Sequence, residues 1–443
     1  MTIDSLTTTA TGELSMQARR RSLRAAAVGN ALEWFDWTLY GTFSVYLAAN
    51  LFNSVDPTSA MLSTLAVFAG GFLARPVGGW IFGAIGDKRG RKFTLVATMS
   101  LLALTSLGIA LTPTFEQVGV LSSLLLLVLR LLQGLAHGGE SGVSYTYVAE
   151  IAPPERRALW TSSVFVSVTF GVMAATALAA GLTSVLGPDD MQAWGWRVGF
   201  AVGALLGVYA MFLRRSAEES DVFSESGNET TPAAALTPRA MLSIGARIIM
   251  IGAASNATYY TWVTFAPATA IATKGMDPNG AYVASLLAQV VCILWLPVCG
   301  IMADRWGRRR MLAVYGAGVF VVVIPINVIL SSAPWTLFVS QLLGLLVWAL
   351  LASMFPAIVA EQVPTAARAR GVGLVTSLSV ALFGGTAPYL NTWLTSIDKA
   401  WIYSAYVMAL GLLAVGAASI IKETARMPLH QIGTETTLTK ENS

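Results

Sequence analysis

Residues 29–41, GNALEWFDWTLYG, set two carboxylates, Glu33 and Asp36, among Trp34, Phe35, Trp37 and Tyr40 inside a long apolar run. Three apart on a helix, the acids share one face, with Tyr40 a turn further on. Two carboxylates this close in a low-dielectric setting resist ionising together, which suits a site that takes up and releases a proton. The residues leave open which of the two does so. Arg130 opens RLLQG in another apolar run, with Gln133 one turn on. A guanidinium keeps its charge and can hold a carboxylate through two parallel N–H bonds. Arg130 therefore either neutralises Glu33 or Asp36 as a fixed pair or binds a carboxylate brought from outside. His137 and Glu140 follow at helical spacing and can hydrogen-bond along one face; an imidazole changes charge near neutral pH, so a proton relay and plain gating or packing both fit. Arg75, in ARPVGG, is a further cation that could bind substrate, pair with the first-helix acids or snorkel.

The elements that must position these groups are membrane spans. The chain is 55% hydrophobic and only 12% charged, against about 25% charged for a soluble domain. Apolar runs of roughly 20 residues, long enough to cross a bilayer core, recur throughout. The expected spans are 25–51, 60–85, 93–112, 118–149, 159–186 and 195–213, then 244–272, 280–303, 311–331, 335–360, 371–396 and 400–421. Residues 1–24 and 422–443 read as tails, and the polar stretch 214–243 as a linker between a first half, 25–213, and a second, 244–421. Arg19, Arg20, Arg21 and Arg24 end the first tail, and further Lys and Arg cluster in alternate loops, whereas the other loops hold only Lys274 and Lys399. The asymmetry places both termini in the cytoplasm. It also explains the basic pI, so no nucleic-acid partner is expected. The first apolar run is too long for a signal peptide. Cys292 and Cys299 lie two turns apart on one span, too far for a disulfide. No metal-ligand spacing or nucleophile–base set appears, so neither cofactor nor enzyme is expected.

Depth brings the charges together. At ~1.5 Å per residue, Asp36 lies about 16 Å from the cytoplasmic end of its span and Arg130 roughly 18 Å from the outer end of its own. Each ionisable group there costs at least ~2.5–3.5 kcal/mol and needs a partner, water or a function. Apart from Arg247 at the cytoplasmic start of the seventh span, the second half has no charged residue between its span ends. It offers neutral groups instead, foremost Tyr259, Tyr260 and Trp262 in the seventh span. Two loop motifs repeat about half a chain apart: GDKRGRK (86–92) echoes ADRWGRRR (303–310), and AEIAPPERR (149–157) echoes AEQVPTAAR (360–368). In the first, Gly86 and Gly90 permit a tight turn while Asp87 caps a helix and pairs with Arg91; Asp304, Gly307 and Arg308 repeat the arrangement. Glu150 with Arg156 and Arg157, and Glu361 with Arg368, read as further parts of one latch that gates.

These stretches, with GGFLARPVGGWIFGAIGDKRGRK, RLLQGLAHGGESG, YVAEIAPPERR and WGWRVGFAVGALLG, resemble the metabolite:proton symporter family of the major facilitator superfamily over essentially the whole chain. FAGGFLARPVGGW, ARARGVGL and FGGTAPYL look most like its α-ketoglutarate permease branch. Ser141 and His137 depart from the family's usual residues. The resemblance implies an all-α fold of twelve transmembrane helices in two pseudo-symmetric halves around a central site. It implies a monomeric carrier in the cell membrane that takes up a small organic acid with protons by alternating access. Glu33, Asp36, His137 and Glu140 would handle protons, and Arg75, Arg130, Gln133, Tyr40, Tyr259, Tyr260 and Trp262 the cargo. The alternative cargo is a zwitterionic solute such as proline or betaine, or a shikimate-like acid.

Overall fold

The computed structural model describes residues 16–53, 55–89, 91–138, 141–216, 238–364 and 368–429. The expected linker falls mostly outside them, at 217–237, as do the outer parts of both tails. Every regular element among the described residues is helical. The first half contains α1 (Met16–Thr42, continued by Ser44–Leu51), α2 (Pro57–Arg89), α3 (Arg91–Leu111), α4 (Val120–His137, then Ser141–Ile151), α5 (Arg157–Val185) and α6 (Trp196–Ser216). The second contains α7 (Pro238–Tyr259, then Ala266–Lys274), α8 (Pro278–Trp306), α9 (Arg308–Ile329), α10 (Pro334–Ala352, then Phe355–Ala360), α11 (Arg368–Ser379, then Ala387–Ser396) and α12 (Ala400–Ile420).

Ten of these are long and apolar enough to cross a membrane by length and composition. The other two are α1, which carries a polar start and the two internal acids, and α3, whose apolar part is limited to Val96–Leu111. The fourth span, expected as one piece, is described as Val120–His137 and Ser141–Ile151, with 139 and 140 outside the described residues. Spans seven and eleven pass through wide π turns at Tyr260–Thr264 and Val380–Gly385. Pro267, Pro356 and Pro388 sit in the first turn of the helix that resumes, where a missing N–H costs no hydrogen bond.

Within the halves α2 packs on α4, α3 on α6 and α9 on α12; between them the most extensive contact is α5 against α8. The α2–α4 contact fixes the site. A Cβ added at Gly134 would lie 2.0 Å from the Gly71 carbonyl oxygen, and one at Gly138 1.9 Å from that of Arg75. The two backbones touch, as small residues four apart allow in membrane helices. Because α2 carries Arg75 and α4 carries Arg130, this approach sets the spacing of the two cations. Gly134→Val is expected to destabilise the fold by about 1–3 kcal/mol or more through overpacking. Thermal unfolding of the purified chain in detergent checks this; an unchanged Tm would mean that the helices separate freely.

Candidate functional site

Trp37 is the hub of the first half. It is 1% exposed, and its ring meets Phe72 at 4.9 Å and His137 at 4.6 Å, both edge-on. Two guanidinium groups rest against it. The Arg130 Cζ lies 3.7 Å from its ring centre, and also 4.5 Å from Tyr40 and 4.9 Å from Phe68. The Arg75 Cζ lies 4.1 Å from Trp37 and 4.7 Å from Phe72. Arg130 is fully buried, yet among the described residues it makes one hydrogen bond, from Nη1 to Gln133 Oε1 at 2.9 Å, and its Nε and Nη2 have no partner there. Arg75 is 5% exposed, and its Nε is likewise unpartnered among the described residues. A desolvated cation over an aromatic ring gains ~2 kcal/mol. Taking an ion out of water costs several kcal/mol even after relaxation. The rings therefore offset only part of the cost, and the free N–H groups make this a place for an anion.

The acids occupy two separate networks. Asp36 accepts hydrogen bonds from the Ser106 hydroxyl on α3 and from Gln133 Nε2 at 3.2 Å. Gln133 Nε2 also reaches Ser106 Oγ at 3.1 Å. Asp36 and Arg130 are thus joined through Gln133, and the permanent ion pair considered from the sequence is not among the ion pairs seen. Glu33 Oε1 lies 2.6 Å from His137 Nδ1 across α1 and α4. His137 therefore bonds Glu33 on another helix; Glu140, its expected partner along α4, lies outside the described residues.

The second half supplies an aromatic wall. Tyr260 meets Phe68 at 5.7 Å and Phe72 at 5.0 Å, and Tyr259 meets Trp34 at 5.6 Å, so both face the first half. Trp262, in the π turn, lays its ring against Gly344 of α10 within its own half. The Tyr40 hydroxyl donates to the Thr64 carbonyl at 2.8 Å, leaving its ring for Arg130. Ser106 and Trp348, whose ring is tilted against Tyr259 at 5.2 Å, went unread in the sequence, and Trp37, named beside the acids, was given no role there. Trp37 at least had a signal, since it directly follows Asp36.

The second-half motif at 303–310 and the two Glu–Arg stretches at 149–157 and 360–368 meet at one end of the bundle. Asp304 accepts from the Ala158 and Leu159 amides, 2.9 Å each, capping the start of α5, and pairs with Arg308 at 3.2 Å. The remaining pairs are crossed relative to expectation. Arg157 of the first half binds Glu361 of the second at 2.8 Å, and Arg368 of the second binds Glu150 of the first at 3.0 Å. Arg156 points to solvent, whereas Arg157 turns inward from the first turn of α5 towards the end of α10. Glu361 also holds Arg308 at 3.3 Å and accepts from Thr424 at 2.6 Å. Gly307 has φ +92° and lies against the Glu423 carboxylate, which accepts from the Arg308 and Arg309 amides at 2.8 and 3.1 Å. In the first-half motif Gly90 lies outside the described residues, as do the side chains of Asp87 and Arg91; Gly86 is in the last turns of α2. Among the described residues no cluster of His, Cys, Asp and Glu could hold a metal.

The sequence matches the Major Facilitator Superfamily over residues 26–388 and again over 291–435. The chain belongs to the major facilitator superfamily. It is a multi-pass membrane transporter and not an enzyme. It is 34% identical to the alpha-ketoglutarate permease of Escherichia coli, over 92% of this chain and 95% of that one. It is 32% identical to the citrate-proton symporter of Klebsiella pneumoniae, over 93% and 95%. It is 29% identical to the glycine betaine/proline/ectoine/pipecolic acid transporter OusA of Dickeya dadantii, over 93% and 84%. These relatives agree with a place in the metabolite:proton symporter family near the α-ketoglutarate permease branch. The fold is shared with the proton:xylose symporter XylE, at a TM-score of 0.74 and 15% identity over 94% of this transporter and 98% of that chain.

Glu361→Ala removes the carboxylate common to Arg157 and Arg308. Breaking a buried pair this way costs ~3–5 kcal/mol, so a clear fall in Tm is expected. A Tm equal to wild type would mean that water already solvates the latch.

Proposed function

We propose that this transporter takes up a small organic acid, of the α-ketoglutarate type, together with protons by alternating access. Arg130 and Arg75 grip the cargo carboxylate. The networks of Asp36 and of Glu33 with His137 carry the protons, and Tyr259 and Tyr260 close the cargo in from the second half. The observation that carries this reading is the set of unpartnered guanidinium N–H groups buried against Trp37. The distribution of Lys and Arg supports a cell-membrane location with both termini cytoplasmic. The crossed latch then lies on the cytoplasmic side and holds the inner gate shut. A single chain holds both walls of the site, which supports action as a monomer.

A betaine or proline carrier is the second reading, favoured by the relative from Dickeya dadantii and by the rings of Trp34, Tyr259 and Trp348, which suit a quaternary ammonium. Two free arginines oppose it, since they repel that cation. The test is uptake of labelled di- and monocarboxylates, shikimate, proline and betaine into vesicles with an imposed pH gradient. α-Ketoglutarate is expected to accumulate and to be displaced by other dicarboxylates. Accumulation of betaine alone would overturn the acid reading.

Arg130→Lys is expected to lower kcat/KM at least about tenfold, because a point charge cannot replace a planar fork. Wild-type kinetics in that variant would make Arg130 structural. Asp36→Asn is expected to abolish gradient-driven accumulation while some exchange of cargo for cargo continues. Normal accumulation would remove Asp36 from coupling.

A further inference from the structure

Gln133 was expected among the cargo ligands, but its amide is fully engaged between a carboxylate and a guanidinium. We propose that this amide is a relay: protonation of Asp36 turns it over and releases Arg130 to the cargo. The proposal rests on the proton-coupled reading above and makes Gln133 a positioning residue.

The hydrogen bonds fix which way the amide points. A guanidinium only donates and an ionised carboxylate only accepts. With Asp36 ionised, the amide must turn its oxygen to Arg130 Nη1 and its nitrogen to Asp36 Oδ2, the arrangement observed. The Ser106 hydroxyl donates to Asp36 Oδ1 and accepts from the same nitrogen, which closes the network. Every donor between Asp36 and Gln133 then meets an acceptor.

One proton reverses this. Taken from water and placed on Asp36 Oδ2, it makes that oxygen a donor facing the Gln133 N–H. Two donors cannot share the contact. Rotation about the last side-chain torsion, a broad two-fold one, swaps the oxygen and nitrogen of the amide. The Gln133 oxygen then accepts from Asp36, and its N–H group faces Arg130. That guanidinium loses its one hydrogen bond among the described residues. All its N–H groups, with Nε and Nη2 already free, become available for a two-point grip on a carboxylate. Loss of the proton from Asp36 runs the sequence backwards and draws Arg130 away from the cargo.

The surroundings leave few other groups to carry the message. Charges facing Asp36 are Arg130 on α4 and Glu33 on its own helix. Arg130 faces Tyr40 on α1, Arg75 on α2 and Tyr260 on α7. Residues 93–111 of α3 and 158–185 of α5 contain no titratable side chain, and α6 brings Gly203 against Asp36 Oδ1. His137 is joined to Glu33.

The test uses the full chain in proteoliposomes, with whichever member of the cargo panel the wild type accumulates, so an error about the cargo leaves the relay readable. Exchange is measured with equal pH on both sides. In wild type the KM for exchange is expected to change about tenfold between roughly pH 6 and pH 8. In Gln133→Met, similar in shape but without the amide, exchange is expected to persist with a KM that varies less than about twofold over that range, and gradient-driven accumulation is lost. Wild-type accumulation in Gln133→Met overturns the relay. Loss of exchange at every pH in a folded Gln133→Met chain also overturns it, by placing Gln133 on the cargo. A collapse of accumulation in Ser106→Ala as complete as in Gln133→Met would route the proton through the contact of Ser106 Oγ with Asp36 Oδ1 and overturn it as well.

Discussion

Two arginines share one indole. That constraint organises the first half of the transporter. Arg75 and Arg130 are both withdrawn from water, and the groups around them satisfy only a fraction of their N–H donors. Trp37, Phe68, Phe72 and Tyr40 surround them with ring faces and edges, so the cations are tolerated without being neutralised. A tight carboxylate partner would have been more stabilising and less useful, since an arginine already saturated cannot bind cargo. The contact of α2 and α4 backbones at Gly134 and Gly138 keeps both cations on the same ring. The neutral aromatic wall of the second half follows from the same economy of charge: an acid there would compete with an anionic cargo for the free N–H groups.

At the other end of the bundle the electrostatics are of the opposite kind. There the buried charges of the described residues are paired; Arg157–Glu361 and Arg368–Glu150 cross between halves, while Arg308 pairs with Glu361 and Asp304 within the second. A buried ion pair gains little net stability over the separated, hydrated ions, although breaking it by removing one partner is costly. Crossed pairs therefore hold two halves together at little net cost to their separation. When the halves part, water can enter and solvate both members at once. Asp304 adds a backbone element to this, because its carboxylate lies on the positive end of α5 in the other half. The tail after α12 joins in through Glu423, Thr424 and the Met427 carbonyl, the last bound by Arg157.

Much of the architecture was legible in the sequence, because a bilayer forces apolar runs of a set length and makes any internal charge conspicuous. Glu33, Asp36 and Arg130 stood out for that reason, and the repeated loop motifs marked the two halves. Partner choice was not legible. Glu150 and Glu361 stand close in sequence to one set of arginines and bind the other set, since packing of α5 against α8 and α10, not chain distance, decides which carboxylate Arg157 meets. Ser106 is one hydroxyl among many on apolar helices, and only the fold brings it to Asp36. The π turn at Tyr260–Thr264 had no mark in the sequence, and Trp262 within it lies against Gly344 of α10.

The depth of Asp36 and Arg130 suggested a direct pair, and the observed separation by Gln133 carries more information than a pair would. An ion pair of fixed partners has one low-energy arrangement. A neutral amide between a carboxylate and a guanidinium has two, and the protonation of the carboxylate selects between them. Glu33, three residues away, meets an imidazole instead of an amide and lies on the side of Trp37 where His137 packs. One short segment of α1 thus feeds two different kinds of proton acceptor into a single aromatic hub. Asp36 is enclosed within the first half by α3, α4 and α6, whereas the arginines on the Trp37 ring lie near Tyr260 of the second half, so the two kinds of charge sit in different surroundings on one hub.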